Sequence, residues 1–246
     1  MTEFDALIAT LSLTMGVAWA SGINLYAAVL VLGIGGATGN IALPESLQVV
    51  QDPMVIAAAG IMYAVQFFAD KTPGVDTGWD SIHTFIRIPA GAMLAAASVG
   101  DVTPALQVTA GLLGGTLSAA THATKAGTRV LINTSPEPFS NWAASISEDI
   151  AVLGGLWIAL NYPLVFIGLL AIFVLLMIWL LPRLWRAIRT VLHKIGQWLG
   201  ISRPAVTGQQ PTPAVAAELE RLKTLLDQGA LSATEYQQAK QKVLTQ

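Results

Sequence analysis

The sequence predicts an all-α, polytopic membrane protein of about six transmembrane helices, and three observations carry that reading. Of its 246 residues only 11% are charged and 54% are hydrophobic, whereas a soluble domain carries roughly 25% charge. Several apolar stretches approach the roughly 20 residues needed to cross a bilayer core. The third observation is where the ionisable residues fall. Asp70, Lys71, Asp76, Asp80, His83 and Arg87 all lie within 66–91, between two apolar segments. Charges in such surroundings are costly and persist mainly where they face a cavity or each other. This stretch is therefore the candidate functional site.

Residues 1–182 read as the transmembrane domain. Ala18-Trp19-Ala20 resembles a cleavage site, but Glu3 and Asp5 precede the apolar run and no Lys or Arg does, so a removable leader is not expected. The first segment, 6–36, is longer than one straight span requires. It is interrupted by Ser21-Gly22-Ile23-Asn24. Two readings stand: a broken helix whose freed backbone lines a cavity, or one long tilted helix using Gly22 for close packing. Residues 53–69 form a second span. Pro73, Gly74 and Gly78 then break helicity before a third span over 81–100. The fourth, 104–133, is polar in its middle at Thr121-His122-Ala123-Thr124-Lys125. After a loop over 134–138, residues 139–161 make a fifth span carrying Glu148 and Asp149, with Ser145 and Ser147 read as a polar helix start. Residues 164–181 make the most lipid-like sixth.

Six spans with a cytoplasmic N-terminus place Lys71, Arg87, Lys125, Arg129 and Arg183 toward the cytoplasm. The 37–52 loop, the Asp101 turn and the 161–163 turn, which lack Lys and Arg, fall outside, as the positive-inside rule requires. Residues 6–32 and 105–131 register at a constant offset, matching Gly16 with Gly115 and Ala20 with Ala119. Three spans per half, about 4–100 and 104–182, make the halves inverted repeats with interrupted helices, a transporter arrangement.

Beyond the last span, Leu184, Ile188, Val191, Leu192, Ile195 and Leu199 recur at helical spacing between Arg186, Arg189 and Lys194. Residues 183–201 thus read as an amphipathic helix on the anionic cytoplasmic leaflet, and 202–213 as a linker. Residues 214–246 predict a small cytoplasmic helical hairpin. Leu219, Leu222, Leu225 and Leu226 form its stripe, Gly229 ends the first helix, and Ser232 with Glu235 makes a capping box for the second. So short a unit buries too little surface for firm independence, which points to a partner or a second copy of the chain.

Two regions carry a resemblance. Ser21-Gly22-Ile23-Asn24-Leu25-Tyr26, Phe67-Phe68-Ala69-Asp70-Lys71 with Pro73-Gly74-Val75-Asp76, Trp79-Asp80, His83-Thr84 and Arg87-Ile88-Pro89-Ala90-Gly91 resemble the membrane family catalogued as domain of unknown function 4126, over about 5–195. The tail LERLKTLLDQGALSATEYQQAKQKVL resembles the short C-terminal domain, SHOCT. The resemblance implies a bacterial inner membrane and supplies neither substrate nor mechanism.

On a helix, Asp76, Asp80, His83 or Thr84, and Arg87 share one face, where Asp80 and Arg87 can neutralise each other. His122, Lys125 and Arg129 make a basic face, read either as a clamp for a phosphate or carboxylate or as positive-inside anchoring. The expected substrate-binding residues are Asn24, Tyr26, His83, Arg87, His122, Lys125 and Arg129. The expected ion- or proton-coupling residues are Asp70, Asp76, Asp80, Glu148 and Asp149. The spacing of Asp70, Asp76 and Asp80 matches no metal motif, and P-loop, G-x-S-x-G and H-E-x-x-H patterns are missing. A metal-dependent intramembrane phosphotransferase is the weaker reading, and no enzyme, metal or cofactor is expected. No basic, aromatic-rich surface suits nucleic acid. The function expected is an inner-membrane transporter or channel-like protein for a small anionic or amphiphilic solute, coupled to protons, with both termini cytoplasmic. Its alternative is a scaffold that recruits partners or oligomerises through 214–246.

Overall fold

Short polar side chains cap some of the helix starts. In the computed structural model, which describes residues 2–134, 138–198 and 213–244, Thr2 and Asp5 form a capping box that opens α1, Glu3–Ala37. A 3-10 helix, Glu45–Gln51, leads to Asp52, whose side chain accepts from the Met54 amide and opens α2, Pro53–Ala69. Helices α3, Val75–Ser98, and α4, Pro104–Ile132, are joined through Gly100 at φ +72°, a left-handed turn that favours glycine. Then come α5, Pro138–Asn161, and α6, Pro163–Trp198. The tail is α7, Pro213–Asp227, and α8, Ala233–Leu244.

The residue pattern is inside-out. Arg87 and Arg129 are fully buried while Phe85, Leu112 and Leu175 are exposed, the reverse of a soluble protein and what lipid-facing surfaces require. By length and composition α1, α5 and α6 can each cross a membrane, and the 3-10 helix with α2 makes a fourth across a 63° bend. Helices α3 and α4 have 24 and 29 residues, length enough to cross, but they carry the interior charges.

The first segment departs from the six-span expectation. Asn24 has φ −147°, ψ 91°, outside the helical region, so α1 breaks where the sequence placed an interruption. Beyond Asn24 the chain folds back. Ser12 donates to the Ala159 carbonyl (2.7 Å), close to the turn between α5 and α6. Ser46 donates to the Ala97 carbonyl (2.6 Å), and a Cβ on Gly100 would lie 3.6 Å from Pro44. The starts of α1 and of the 3-10 helix therefore share one end of the bundle, here the turn end. A straight α1 would carry Ala37 about 38 Å beyond Ser12. The seven residues from there to Pro44 reach at most about 25 Å. Both arms of α1, through Leu13 and Ile34, accordingly line one cleft. The helix thus runs from the turn end to Asn24 and returns, in place of one straight run.

By contrast α4 is a single unbroken helix, which corrects the interruption expected at 121–125. Thr121 and Thr124 donate to Leu117 and Ala120 of the same helix (2.8 and 2.9 Å), so the polar stretch costs the ladder nothing. Of the matched glycines, Gly16 packs on Ala159 and Phe166 and Gly115 on Ala92. Small residues let the first arm of α1 approach α3 and α4 closely, as packing in lipid favours. A Cβ on Gly22 would stand 2.5 Å from the Ser118 carbonyl oxygen, and one on Gly91 2.5 Å from the Ser118 Cβ.

Helix α6 continues through Pro182 to Trp198, so the expected separate surface helix is its own continuation. Leu184 and Ile188 of the expected lipid-facing stripe pack on Gly127. Residues 199–212 lie outside the described residues. In the tail, Ser232 and Glu235 form the expected box: the Ser232 amide donates to Glu235 (2.9 Å) and the Glu235 amide to Ser232 (3.4 Å). The Ser232 hydroxyl (2.7 Å) and then its amide, both donating to the Glu235 carboxyl, hold it below its usual pKa.

Candidate functional site

The candidate residues meet inside the bundle because three helices present one polar face each toward the break in α1. Helix α3 contributes Asp76, Asp80, His83 and Arg87, α4 contributes His122, Lys125 and Arg129, and α5 contributes Asn141, Ser145, Glu148 and Asp149. Asp70 comes directly after α2.

The centre is an ion-pair chain. Arg87 donates to Asp80 at 2.9 Å, the neutralisation expected from their shared face. Lys125 Nζ lies 2.7 Å from Asp70, 3.2 Å from Glu148 and 3.8 Å from Asp80, and donates to the Ile23 carbonyl at 3.2 Å. Arg129 forks onto Glu148 through Nε and Nη2 (3.2 and 2.7 Å). Its Nη1 reaches the Asp70 carbonyl (2.9 Å) and Asn141. Two-point guanidinium–carboxylate pairs are among the strongest hydrogen-bonded contacts, and a buried pair must be this well satisfied to offset desolvation. Lys125 and Arg129 are thus interior residues, not interfacial anchors, and their carboxylate partners are already in place.

Asn24 serves the break directly. Its Oδ1 accepts from the Ala27 amide (3.1 Å), capping the second arm, and its Nδ2 donates to Asp149 (3.0 Å). The two half-helix ends meet charges of the favourable sign: ammonium at the carbonyl end of the first arm, carboxylate at the amide end of the second.

The histidines have defined tautomers, because a carbonyl only accepts and a guanidinium only donates. His83 Nδ1 donates to the Trp79 carbonyl (2.9 Å), so its Nε2 accepts from the Tyr26 hydroxyl (3.0 Å). His122 Nε2 donates to the Asp80 carbonyl (3.1 Å) and Thr84 (2.8 Å), leaving Nδ1 to accept from Arg87 (3.2 Å). Asp76 is held apart from the ion pairs. It accepts from the amides of Gly74 and Thr77 (2.9 and 2.6 Å) and twice from Asn133 (2.8 and 3.0 Å), tying the start of α3 to the end of α4. Ser145 and Ser147 sit within α5, which starts at Pro138, so neither caps a helix as expected. Ser145 accepts from Lys71 (3.1 Å), whose ammonium also lies 3.0 Å above the Phe67 ring.

Sequence reasoning missed Asn133 and Asn141, which relay Asp76 to Arg129. The rule that marked Asn24, an amide in an apolar segment, would have found both. It also missed Ser118, which joins Ser21 of the expected interruption in donating to the Arg87 carbonyl (3.0 and 3.2 Å). Several buried polar atoms have no protein partner: Arg87 Nε and Nη2, Asp80 Oδ2, Asp70 Oδ1 and Gln66 Oε1.

On the turn-end side of the break lies a cleft of about 1120 Å³ between the two arms of α1, closed by α2 and α5. Its walls carry no charged residue. Leu13, Val31, Ile34, Leu153 and Trp157 line them, with Asn40 and Asn161 among the polar residues. Ala27 and Tyr63 also line it, and Tyr63 flanks Asp149. The cleft thus adjoins the Asn24–Asp149 pair.

The family described as Domain of unknown function (DUF4126) matches residues 11–183, and the one described as Short C-terminal domain (SHOCT) matches residues 217–244. No curated protein and no solved structure matches the chain.

Proposed function

The chain belongs to the family described as Domain of unknown function (DUF4126), and on that footing we propose that it is an inner-membrane transporter for a small amphiphilic solute, coupled to protons. One observation carries the reading: a large uncharged cleft ends against a helix break whose halves are held by charge. Broken helices at membrane depth are tolerated where they line a cavity, and solutes bind at such breaks. Uncharged walls suit an apolar body, and the Asn24–Asp149 pair beside Tyr63 suits a polar head. The anionic alternative loses support, since Lys125 and Arg129 already hold Glu148. Asp149 is the natural proton carrier. It has no ion pair among the described residues and lies beside the cleft, whereas Asp76 is caged by amides. The positive-inside rule then sets the end bearing the exposed Arg183, Arg186 and Arg189 in the cytoplasm and the start of α1 outside, in place of the cytoplasmic N-terminus expected from six spans. The scaffold reading draws on one feature: in the α7–α8 hairpin Leu222, Leu225 and Leu226 stay only half-buried, a face suited to a partner.

The test is proton entry into vesicles reconstituted with the full chain and loaded with a pH-sensitive dye. Short alkylammonium, zwitterionic and carboxylate amphiphiles are added in turn. We expect one class to drive proton movement that Asp149→Asn abolishes and Asp101→Asn leaves intact. Silence with all three classes would overturn the transporter reading.

A further inference from the structure

We propose that the Lys125 ammonium occupies a monovalent-cation site built into the break of α1, so that the chain supplies from its own sequence the cation that would otherwise have to be bound. The surroundings of Nζ are those of an ion site. Asp70 and Glu148 give carboxylate oxygens at 2.7 and 3.2 Å, the Ile23 carbonyl gives a third oxygen at 3.2 Å, and Asp80 stands behind at 3.8 Å. The ammonium donates hydrogen bonds to the Asp70 and Ile23 oxygens and makes an ion-pair contact with Glu148. The Ile23 carbonyl is available because the break at Asn24 removes its helical continuation, and it lies at the negative end of a half-helix. Carbonyls freed in this way, together with carboxylates, are what coordinate sodium at discontinuous helices.

A second observation is independent of the ion pairs. Asp70 is 3% exposed, and its Oδ1 has no protein partner even with the ammonium seated. The oxygen set therefore exceeds what Lys125 uses. The cation position is already filled by covalent attachment to α4. The site stands without the transporter reading, but its consequence rests on that reading: a carrier whose cation is tethered needs neither sodium nor potassium, which leaves the proton as the coupling ion.

The test compares thermal unfolding of the full chain in detergent in sodium, potassium and choline chloride at equal ionic strength. Wild type should unfold at one temperature in all three. Lys125→Ala should unfold lower in choline and regain roughly 3 °C or more in sodium or potassium. The double variant Lys125→Ala/Asp70→Asn should lose that regain. Identical curves for Lys125→Ala in the three salts, or its failure to fold in any of them, would overturn the proposal, as would an equal sodium response in wild type. None of these readouts involves transport, so a silent vesicle assay would leave the site standing.

Discussion

Helices α1 and α4 are alike in sequence and opposite in structure. Each is long, rich in Gly and Ala, and polar near its middle. Yet α1 turns back at Asn24 while α4 runs unbroken through Thr121 and Lys125. The difference lies in where the polar groups find partners. The α4 threonines bond within their own helix, leaving His122, Lys125 and Arg129 to serve neighbours. Asn24 caps the second arm, and the carbonyl before it is taken by Lys125. A polar stretch breaks a membrane helix when the backbone on both sides of the break gains a partner, and the straight helix here supplies one of them.

The contrast can be broken most completely by topology. The chain has no cysteine, so single cysteines report sidedness without interference. We expect Thr2→Cys and Thr103→Cys to be labelled from one side of the membrane and Thr72→Cys only from the other. Labelling of Thr2→Cys together with Thr72→Cys would mean that α1 crosses straight. A smaller but still severe effect is expected on α4. Arg129→Met leaves Glu148 with Lys125 alone and takes the donor from the Asp70 and Asn141 carbonyls, a loss of about 3 kcal/mol, measured as a lowered unfolding temperature in detergent. Arg129→Lys should recover only part of it, for want of a two-point fork. The smallest effects sharpen the comparison. Asn24→Ala removes a cap and a bond to Asp149 and should cost about 1–2 kcal/mol. Thr121→Val, which loses a buried hydroxyl bonded only within its own helix, should cost no more than about 1 kcal/mol.

Much of the site was legible because charge in an apolar sequence is conspicuous. The spacing from Asp76 to Arg87 gave a shared face and the Asp80–Arg87 pair, and Gly22 beside Asn24 marked the break. The direction of the chain after that break was not legible. It is fixed by Ser46 on Ala97 and Pro44 on Gly100, contacts between distant segments that no local pattern encodes. The same limit applies to α4, where a polar run looks equally disruptive until its hydroxyls are seen to bond within the helix. It applies again to α6, where Pro182 reads as a stop. Arg183 instead donates to the Trp179 carbonyl (2.6 Å), and the helix continues.

The carbonyl of Arg87, gripped by serines from two other helices, has a mechanical consequence. With Gly22 and Gly91 allowing no room for a methyl group at the same seam, the first arm of α1, α3 and α4 form a welded block. Sliding any one of them would strand a hydroxyl in the dry interior. Any rocking that alternately exposes the cleft would leave that block whole and fall to the parts around it, the second arm of α1 among them, with Asn24 the joint between that arm and the block.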